Sequence, residues 1–587
     1  MLLGVLMVMV ALSLSHPAWA TDKKAKDEAV AATIKVPKIL DAADSMLYRD
    51  IFKLQTRGQW RRADRRIKKL QNRLLVGHVL AQRFLHPTHY RSRFRELERW
   101  MRHYADHPDA RRIYRLALRR KPTRARAPRV PQRAIKRLRK KQKSATPRKL
   151  RKRAPFYMGR TERRLQRRIG RYVFREHLSR AERYLKRRST HRAVGTKGID
   201  RARAIIASGW FRRGNTKRAL ALAARAADRS GMAAPRAQWW AGLSAFRLGR
   251  LDTAARYFQT MHQTPGLSDT ARAASAFWAA RSHLLGRQPQ NVTPWLARAA
   301  AYPRTFYGFM AAYMMGTEPQ FNWQAPRLDP GELETLSSLH PGKRAMALIQ
   351  VGEGRRAELE LRKIRYSSTA GLLRTVIALA GVANLPGTQL RAARTLRTLS
   401  GKQYDGALYP ISHWTPHGGY LIDRALINAL ARQESGFNTR AKSRRGARGL
   451  LQLMPATARI MAQRRGAFRG RGRDKLFDPD LNLSLGQKYV DHLLNGDVTS
   501  GNMVLMIASY NGGPGNTSKW QRKLAHGADP LIFMETIPLR ETRNFVKRVF
   551  ENLWVYRARL GQDAPSLAAL AAGQWPSYVG LDETPRL

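Results

Sequence analysis

The 587-residue chain contains no cysteine. That excludes disulfide staples, thiolate metal sites, a cysteine nucleophile and a lipid-bearing N-terminal cysteine. Carboxylates are scarce too: 40 Asp and Glu stand against 111 Lys and Arg, a net charge of +71. Such a chain repels itself and seeks polyanions, whether nucleic acid, anionic lipid, lipopolysaccharide or acidic wall polymer. Charge alone does not choose among them, and a solvated basic surface would look the same. Beyond the N-terminus no apolar run is long enough to span a bilayer. No block alternates apolar and polar residues with a period of two, which leaves an all-α fold. Wholesale disorder is excluded by a composition that is 43% hydrophobic and 9% aromatic. The length exceeds one compact core, so roughly two to four domains are expected.

The apolar run Leu2 to Ser15 and the small-x-small triplet Ala18-Trp19-Ala20 read as a secretory signal over residues 1–20. No Lys or Arg precedes the run, so retention as an uncleaved anchor competes with cleavage after Ala20. His16 and Pro17 cut the run below the ~18 clean apolar residues that a membrane span requires, which favours cleavage.

From Asp41 to Tyr104 the pattern is helical and amphipathic. Residues 111–160 then hold no acidic residue, about two in five positions are Lys or Arg, and prolines at 122, 128, 131, 147 and 155 interrupt them. Like charges so dense predict exposed or mobile segments. From Ala202 a repeat sets in. Ser208-Gly209-Trp210, Trp240-Ala241-Gly242 and Phe277-Trp278-Ala279 each lead through a glycine (214, 249 and 286, spaced 35 and 37 apart) into a second apolar helix. Units of helix, glycine turn and helix bury their apolar faces only against neighbours, so an α-superhelix over 21–400 is expected. The run ends at Tyr302-Pro303-Arg304-Thr305-Phe306-Tyr307-Gly308. A segment rich in Tyr, Pro, His and Gly at 401–420 reads as a linker to a final domain, 421–587.

That final segment carries an ordered series of motifs: Gln433-Glu434-Ser435-Gly436-Phe437; Ser443; Gly446 to Pro455; Phe477-Asp478-Pro479 with Asn482 and Gly486; Tyr489; Ser509-Tyr510-Asn511-Gly512-Gly513; Glu535 to Pro538; and Glu541 to Val546. In order and spacing these blocks resemble the catalytic domain of the soluble lytic murein transglycosylases, over about 409–556. The resemblance implies a goose-lysozyme-like α-helical catalytic domain beside an N-terminal superhelix. It also implies cleavage of the MurNAc-GlcNAc β-1,4 bond of peptidoglycan in the periplasm, leaving 1,6-anhydromuramoyl ends.

The residues fit that chemistry. Glycoside cleavage needs a proton delivered to the leaving oxygen, and an apolar setting raises a carboxyl pKa toward the working pH. Glu434 ends an apolar helix three residues before Phe437. The resemblance makes it the single acid/base, with the substrate's own N-acetyl group in place of a second carboxylate. Ser435 is placed to orient the Glu434 carboxyl. The resemblance implies that Ser443 and Gln452 bind the glycan, Tyr510 offers a ring and a hydroxyl, and Asn511 can serve the acetamido carbonyl. Glu541 matches a carboxylate of the groove, Phe545 stands where the family has Tyr, and Arg543 is expected to pair internally. Two further departures are Leu451 for Met and Gly512 for Ala. The basic insert Gly466 to Arg473 reads as a mobile loop near the cleft.

Elsewhere His103 and His107 stand at i,i+4 without a third ligand, so no metal and no cofactor are expected. The partners expected are glycan strands and, through the basic stretch, an anionic membrane or lipopolysaccharide surface; no nucleic-acid module is present. A non-catalytic basic helical-repeat protein that binds the wall or envelope, and a lysozyme-type hydrolase, remain rival readings.

Overall fold

The computed structural model describes residues 37–132, 158–327, 329–364, 369–523 and 528–582. Residues 1–20, read from the sequence as a secretory signal, and residues 133–157 of the basic stretch lie outside the described residues. Within them the fold is helical throughout, with three isolated bridges and no strand.

Side-chain caps start many of the helices. Asp41 accepts the Asp44 N–H to open Ala42–Thr56, Asn215 opens Thr216–Ser230, and Ser268 opens Asp269–Leu285. The predicted repeat appears as the pairs Arg188–Arg212 with Thr216–Ser230, Pro235–Arg247 with Leu251–His262, and Asp269–Leu285 with Pro289–Ala300. Small residues let the pairs approach: a β-carbon on Gly242 would lie 2.7 Å from the Phe258 ring. Aromatics fill the grooves, with Trp278 edge-on to Phe246 at 5.0 Å. Gly214 and Gly249 adopt the left-handed conformation (φ +84° and +72°), as a glycine turn requires. The third unit differs, because Gly286 stays at φ −80° and Arg287 takes the positive φ one residue later.

The basic stretch is ordered where it is described. Ala110–Arg119 is a helix that buries Ile113 and Ala117 against Leu97, Trp100 and Met101. Over 111–119 the arginines are exposed, as expected of dense like charges, but they alternate with an apolar face, and that face finds a partner.

The superhelix closes on itself. The Gln350 amide oxygen accepts the N–H groups of Ile39 and Leu40 at 3.1 Å each, and its nitrogen donates to the Leu40 carbonyl. His78 meets Glu360 at 3.0 Å, and Arg344 bridges Glu360 and Asp106 at 2.7 and 2.8 Å.

The Tyr302–Gly308 motif clasps the superhelix to the last domain. Thr305 caps the helix Phe306–Met314 through the Gly308 N–H, and a β-carbon at Gly308 would sit 2.1 Å from the Tyr302 carbonyl oxygen. From this corner Phe306 donates its N–H to Glu551 at 2.9 Å and stacks on Trp554 at 5.2 Å. The Tyr307 hydroxyl donates to Glu535 at 2.7 Å. Arg304 holds Asp405 through two hydrogen bonds of 2.9 and 2.6 Å, so a short buried helix, Asp405–Leu408, anchors the 401–420 segment. One apolar core runs from Leu40 to Leu570 without a break between the two regions.

Candidate active site

The helix Arg424–Glu434 is central to the last domain and lies along Arg540–Leu560. Asp423 starts it by accepting the Leu426 N–H, and the same carboxylate pairs with Arg557 at 2.8 Å with both side chains buried. Ala425 to Ala431 are buried, so the helix is fixed on all sides before it reaches Glu434. It stops there because Gly436 and Phe437 both take positive φ (+56° and +61°). For Phe437, 1% exposed, this is a strained conformation held by packing.

Glu434 is left partly buried at the helix end, with no ion pair among the described residues. Burial, and after it the negative charge of Glu541, push its carboxyl up to about 8. Glu541 is exposed in the first turn of Arg540–Leu560. Glu434 in turn holds the Tyr510 phenol above its ordinary range, behind burial as the larger cause. These three residues form the electrostatic centre of the site.

Tyr510 lies in the helix Met503–Gly512, donates its hydroxyl to the Leu451 carbonyl at 2.7 Å and stacks nearly parallel on Phe545 at 6.3 Å. Tyr489 closes the other side of its ring at 5.4 Å. Asn511 accepts the Thr542 hydroxyl on Oδ1 at 2.7 Å, which leaves its amide N–H groups as donors. Gly512 has a concrete reason to lack a side chain: a β-carbon would lie 2.8 Å from the Trp520 ring.

Gln452 sits at φ +48° and donates its amide nitrogen to the Ala441 and Gly449 carbonyls at 3.1 and 2.8 Å. Its carbonyl oxygen is the atom left for a ligand. Asn482 pins this loop: it accepts the Leu451 N–H at 2.9 Å and donates to the Arg448 and Leu476 carbonyls at 3.0 and 2.9 Å. Buried Leu451, the departure from Met, packs where a β-carbon on Gly486 would come within 2.2 Å. Ser443 accepts the Ala447 N–H at 3.0 Å and shapes the turn before this loop.

Two expectations are corrected. The Ser435 hydroxyl donates to the Ala431 carbonyl at 3.1 Å, one helical turn back, and so is not committed to the Glu434 carboxyl. The basic insert is ordered: Phe468 packs on the cluster of Leu453 and Leu476, Gly470–Phe477 forms 3₁₀ turns, and Asp474 pairs with Arg448 at 3.4 Å. Arg543 donates to the Ile537 carbonyl at 2.5 Å beside the buried Glu535. Tyr489, Asn482 and Thr542 also build the site; all three stood in the motif series, but nothing local marked their partners.

His103 turns outward to the Arg99 carbonyl, whereas His107 meets His78 and Glu360 in a buried cluster within 4.8 Å. The cluster fits a metal poorly. His107 Nδ1 accepts the Asp109 N–H at 3.1 Å, so in the neutral ring the proton sits on Nε2, the atom facing the cluster. Metal-bound histidines donate through the second nitrogen instead. Arg344 and Lys363 also occupy Glu360.

Residues 416–532 match the transglycosylase SLT domain family. The soluble lytic murein transglycosylase of Salmonella typhimurium is 34% identical over 184 residues, 30% of this chain and 28% of that protein. That of Escherichia coli K12 is 34% identical over 157 residues, 27% and 24% of the two chains. The chain thus spans only about a quarter of the length of the curated relatives it matches. An inactive mutant of lytic transglycosylase Slt from Pseudomonas aeruginosa shares the fold at a TM-score of 0.55 and 20% identity, over 90% of this chain and 88% of that one. The likeness to the transglycosylase SLT domain family therefore lies in residues 416–532, and the soluble lytic murein transglycosylases are among the proteins this chain is similar to.

Proposed function

We propose that this protein is a peptidoglycan lytic transglycosylase acting in the periplasm, with residues 421–587 as its catalytic domain and Glu434 as the single general acid/base. The observation that carries the reading is a carboxyl group at the end of a buried helix, raised to about 8 by burial and by Glu541. Such a group keeps its proton near neutrality and can give it to a glycosidic oxygen.

In this reading Glu434 protonates the oxygen between MurNAc and GlcNAc as the bond breaks. The acetamido oxygen of the MurNAc ring closes on the anomeric carbon and offsets the developing positive charge. The Glu434 carboxylate then takes the proton of the C6 hydroxyl, whose oxygen attacks the anomeric carbon and releases the acetamido group. The proton ends where it began, no water is consumed, and the product carries a 1,6-anhydro end. Asn511 and Gln452 would hold the acetamido group and the glycan, and the stacked rings of Tyr510 and Phe545 would wall the reacting sugar.

Mass analysis of muropeptides released from purified sacculi tests this. Products lighter by one water than free reducing ends support it. Free hemiacetal ends would make the protein a lysozyme-type hydrolase, and binding without release would make it a wall-binding protein. We further propose an anionic envelope surface as a partner, drawn in by the net charge of +71. A deletion that tests the basic stretch as a tether should remove 133–157 alone, because 110–119 belongs to a packed helix.

A further inference from the structure

One helix has a charged face with no counter-charge among the described residues. Arg160–Phe174 buries Leu165, Ile169 and Glu162 on one side, and Glu162, its single acid, is taken by Arg201 through hydrogen bonds of 2.6 and 2.8 Å. On the opposite side Arg160, Arg163, Arg164 and Arg167 are exposed at i, i+3, i+4 and i+7, and they border a concavity of about 320 Å³. None of the four makes an ion pair among the described residues. Arg168, off this stripe, is instead used internally, donating to the Tyr184 hydroxyl at 2.7 Å.

Arg171 and Phe174 continue the same face by further steps of four and three residues. Phe174 is 76% exposed, more than any other large apolar side chain among the described residues. Like charges at these spacings repel one another along a helix, so the stripe is not there for the helix's own stability.

We propose that this face docks the protein on an anionic phospholipid surface, with the arginines on headgroup phosphates and Phe174 inserted at the headgroup boundary. Guanidinium groups pair with phosphate through two parallel hydrogen bonds, and clusters of four or more basic residues gather anionic lipid. A water-swollen polymer of carboxylates would satisfy the arginines but gives the exposed Phe174 nothing to enter, whereas a bilayer satisfies both. The proposal names the residues of the envelope contact suggested by the net charge and does not depend on glycan cleavage.

The test is partition of the full chain onto phosphatidylcholine vesicles with and without an equal share of phosphatidylglycerol. The parent should bind only the anionic vesicles. R160Q/R163Q/R164Q/R167Q should lower that partition about 1000-fold, the order expected when four basic side chains leave an anionic surface. F174S should lower it about tenfold, a loss that survives added salt because it is not Coulombic. R61Q/R62Q/R65Q/K68Q removes the same charge from another exposed helix face and should cost less than about threefold. Thermal melts confirm that each variant is folded. Equal losses from the two quartets, equal binding of the parent to neutral vesicles, or binding to sacculi with none to anionic vesicles would each overturn the proposal. Muropeptide release from a soluble glycan is scored separately and should be the same for parent and variants. A protein that docks but does not cleave would sink the enzymatic reading and leave this one standing.

Discussion

The two halves of the molecule bury their carboxylates in different ways. In the superhelix three buried acids meet cations, Glu162 with Arg201, Asp200 with Arg203 and Arg229, and Glu360 with Arg344 and Lys363, while buried Asp44 accepts the Gln71 and Asn72 N–H groups. In the last domain Asp423 is paired likewise with Arg557, but Glu434 and Glu551 are partly buried with no ion pair among the described residues and are pushed up to about 8 and about 7. Glu535, buried beside them but paired with Lys547, is held below the usual carboxylate range by Lys547 and Arg543 despite its burial. Burial alone therefore does not set proton affinity here: at Glu535 a paired cation outweighs it, whereas at Glu434 and Glu551 burial wins. Where a chain with 111 basic residues leaves an acid unpaired, the vacancy costs stability and marks a place where proton affinity matters.

The sharpest way to break this contrast is Glu434→Gln. Turnover should fall about 10²–10⁴-fold, with glycan binding retained, as loss of a general acid requires. Near-normal muropeptide release would end the assignment. In the parent, turnover should decline as pH rises through about 8, where Glu434 loses its proton, and Glu541→Gln should move that limb to lower pH. Stability gives a second readout with a fixed sign. A carboxyl raised in the folded state stabilises below its unfolded pKa, near 4.5, and that contribution is lost as pH climbs toward about 8. Glu434→Gln should therefore raise stability at pH 7 by on the order of 1–3 kcal/mol, given about 1.4 kcal/mol per pKa unit, and the gain should vanish in acid.

The paired half should respond in the opposite way. Arg201→Ala strands buried Glu162 and should cost about 3 kcal/mol in denaturant unfolding. Turnover of the molecules that remain folded should be unchanged, and a selective loss of turnover would mean that the superhelix takes part in catalysis. Gly512→Ala should cost about 1–2 kcal/mol through overpacking against Trp520, although alanine favours helices. Trp520→Leu in the same chain should restore most of it; no restoration would place the fault elsewhere. The smallest effect is that of Tyr510→Phe, which leaves the Leu451 carbonyl unpaired and should cost about 1 kcal/mol. Turnover should fall more than affinity. A pure affinity loss would reduce Tyr510 to a packing residue.

Much of this was legible in the chain before its shape was known. Helical periodicity carried the all-α class, and the repeat glycines at 214 and 249 carried the superhelical turns. Order and spacing of the C-terminal motifs led to Glu434, Gln452, Tyr510 and Asn511. What stayed hidden depends on contacts between distant positions. Nothing near His78 announces Glu360, 282 residues away, and nothing near Tyr307 announces Glu535. The Ser435 bond was hidden too, because a hydroxyl at a helix end has two nearby acceptors, and here the Ala431 carbonyl takes its proton. The insert 466–473 looked mobile because glycine and arginine hide the one residue, Phe468, that finds a core.

The closure of the superhelix also has a consequence for biosynthesis. His78, and Ile39 and Leu40 with their backbone N–H groups, reach their partners only at Gln350 and Glu360. A ribosome adds about 5–20 residues per second, so the first helices wait on the order of 10–60 s for the segment that completes them. Through that interval the nascent chain exposes a raw edge of apolar and polar groups, at the end of the protein that emerges first.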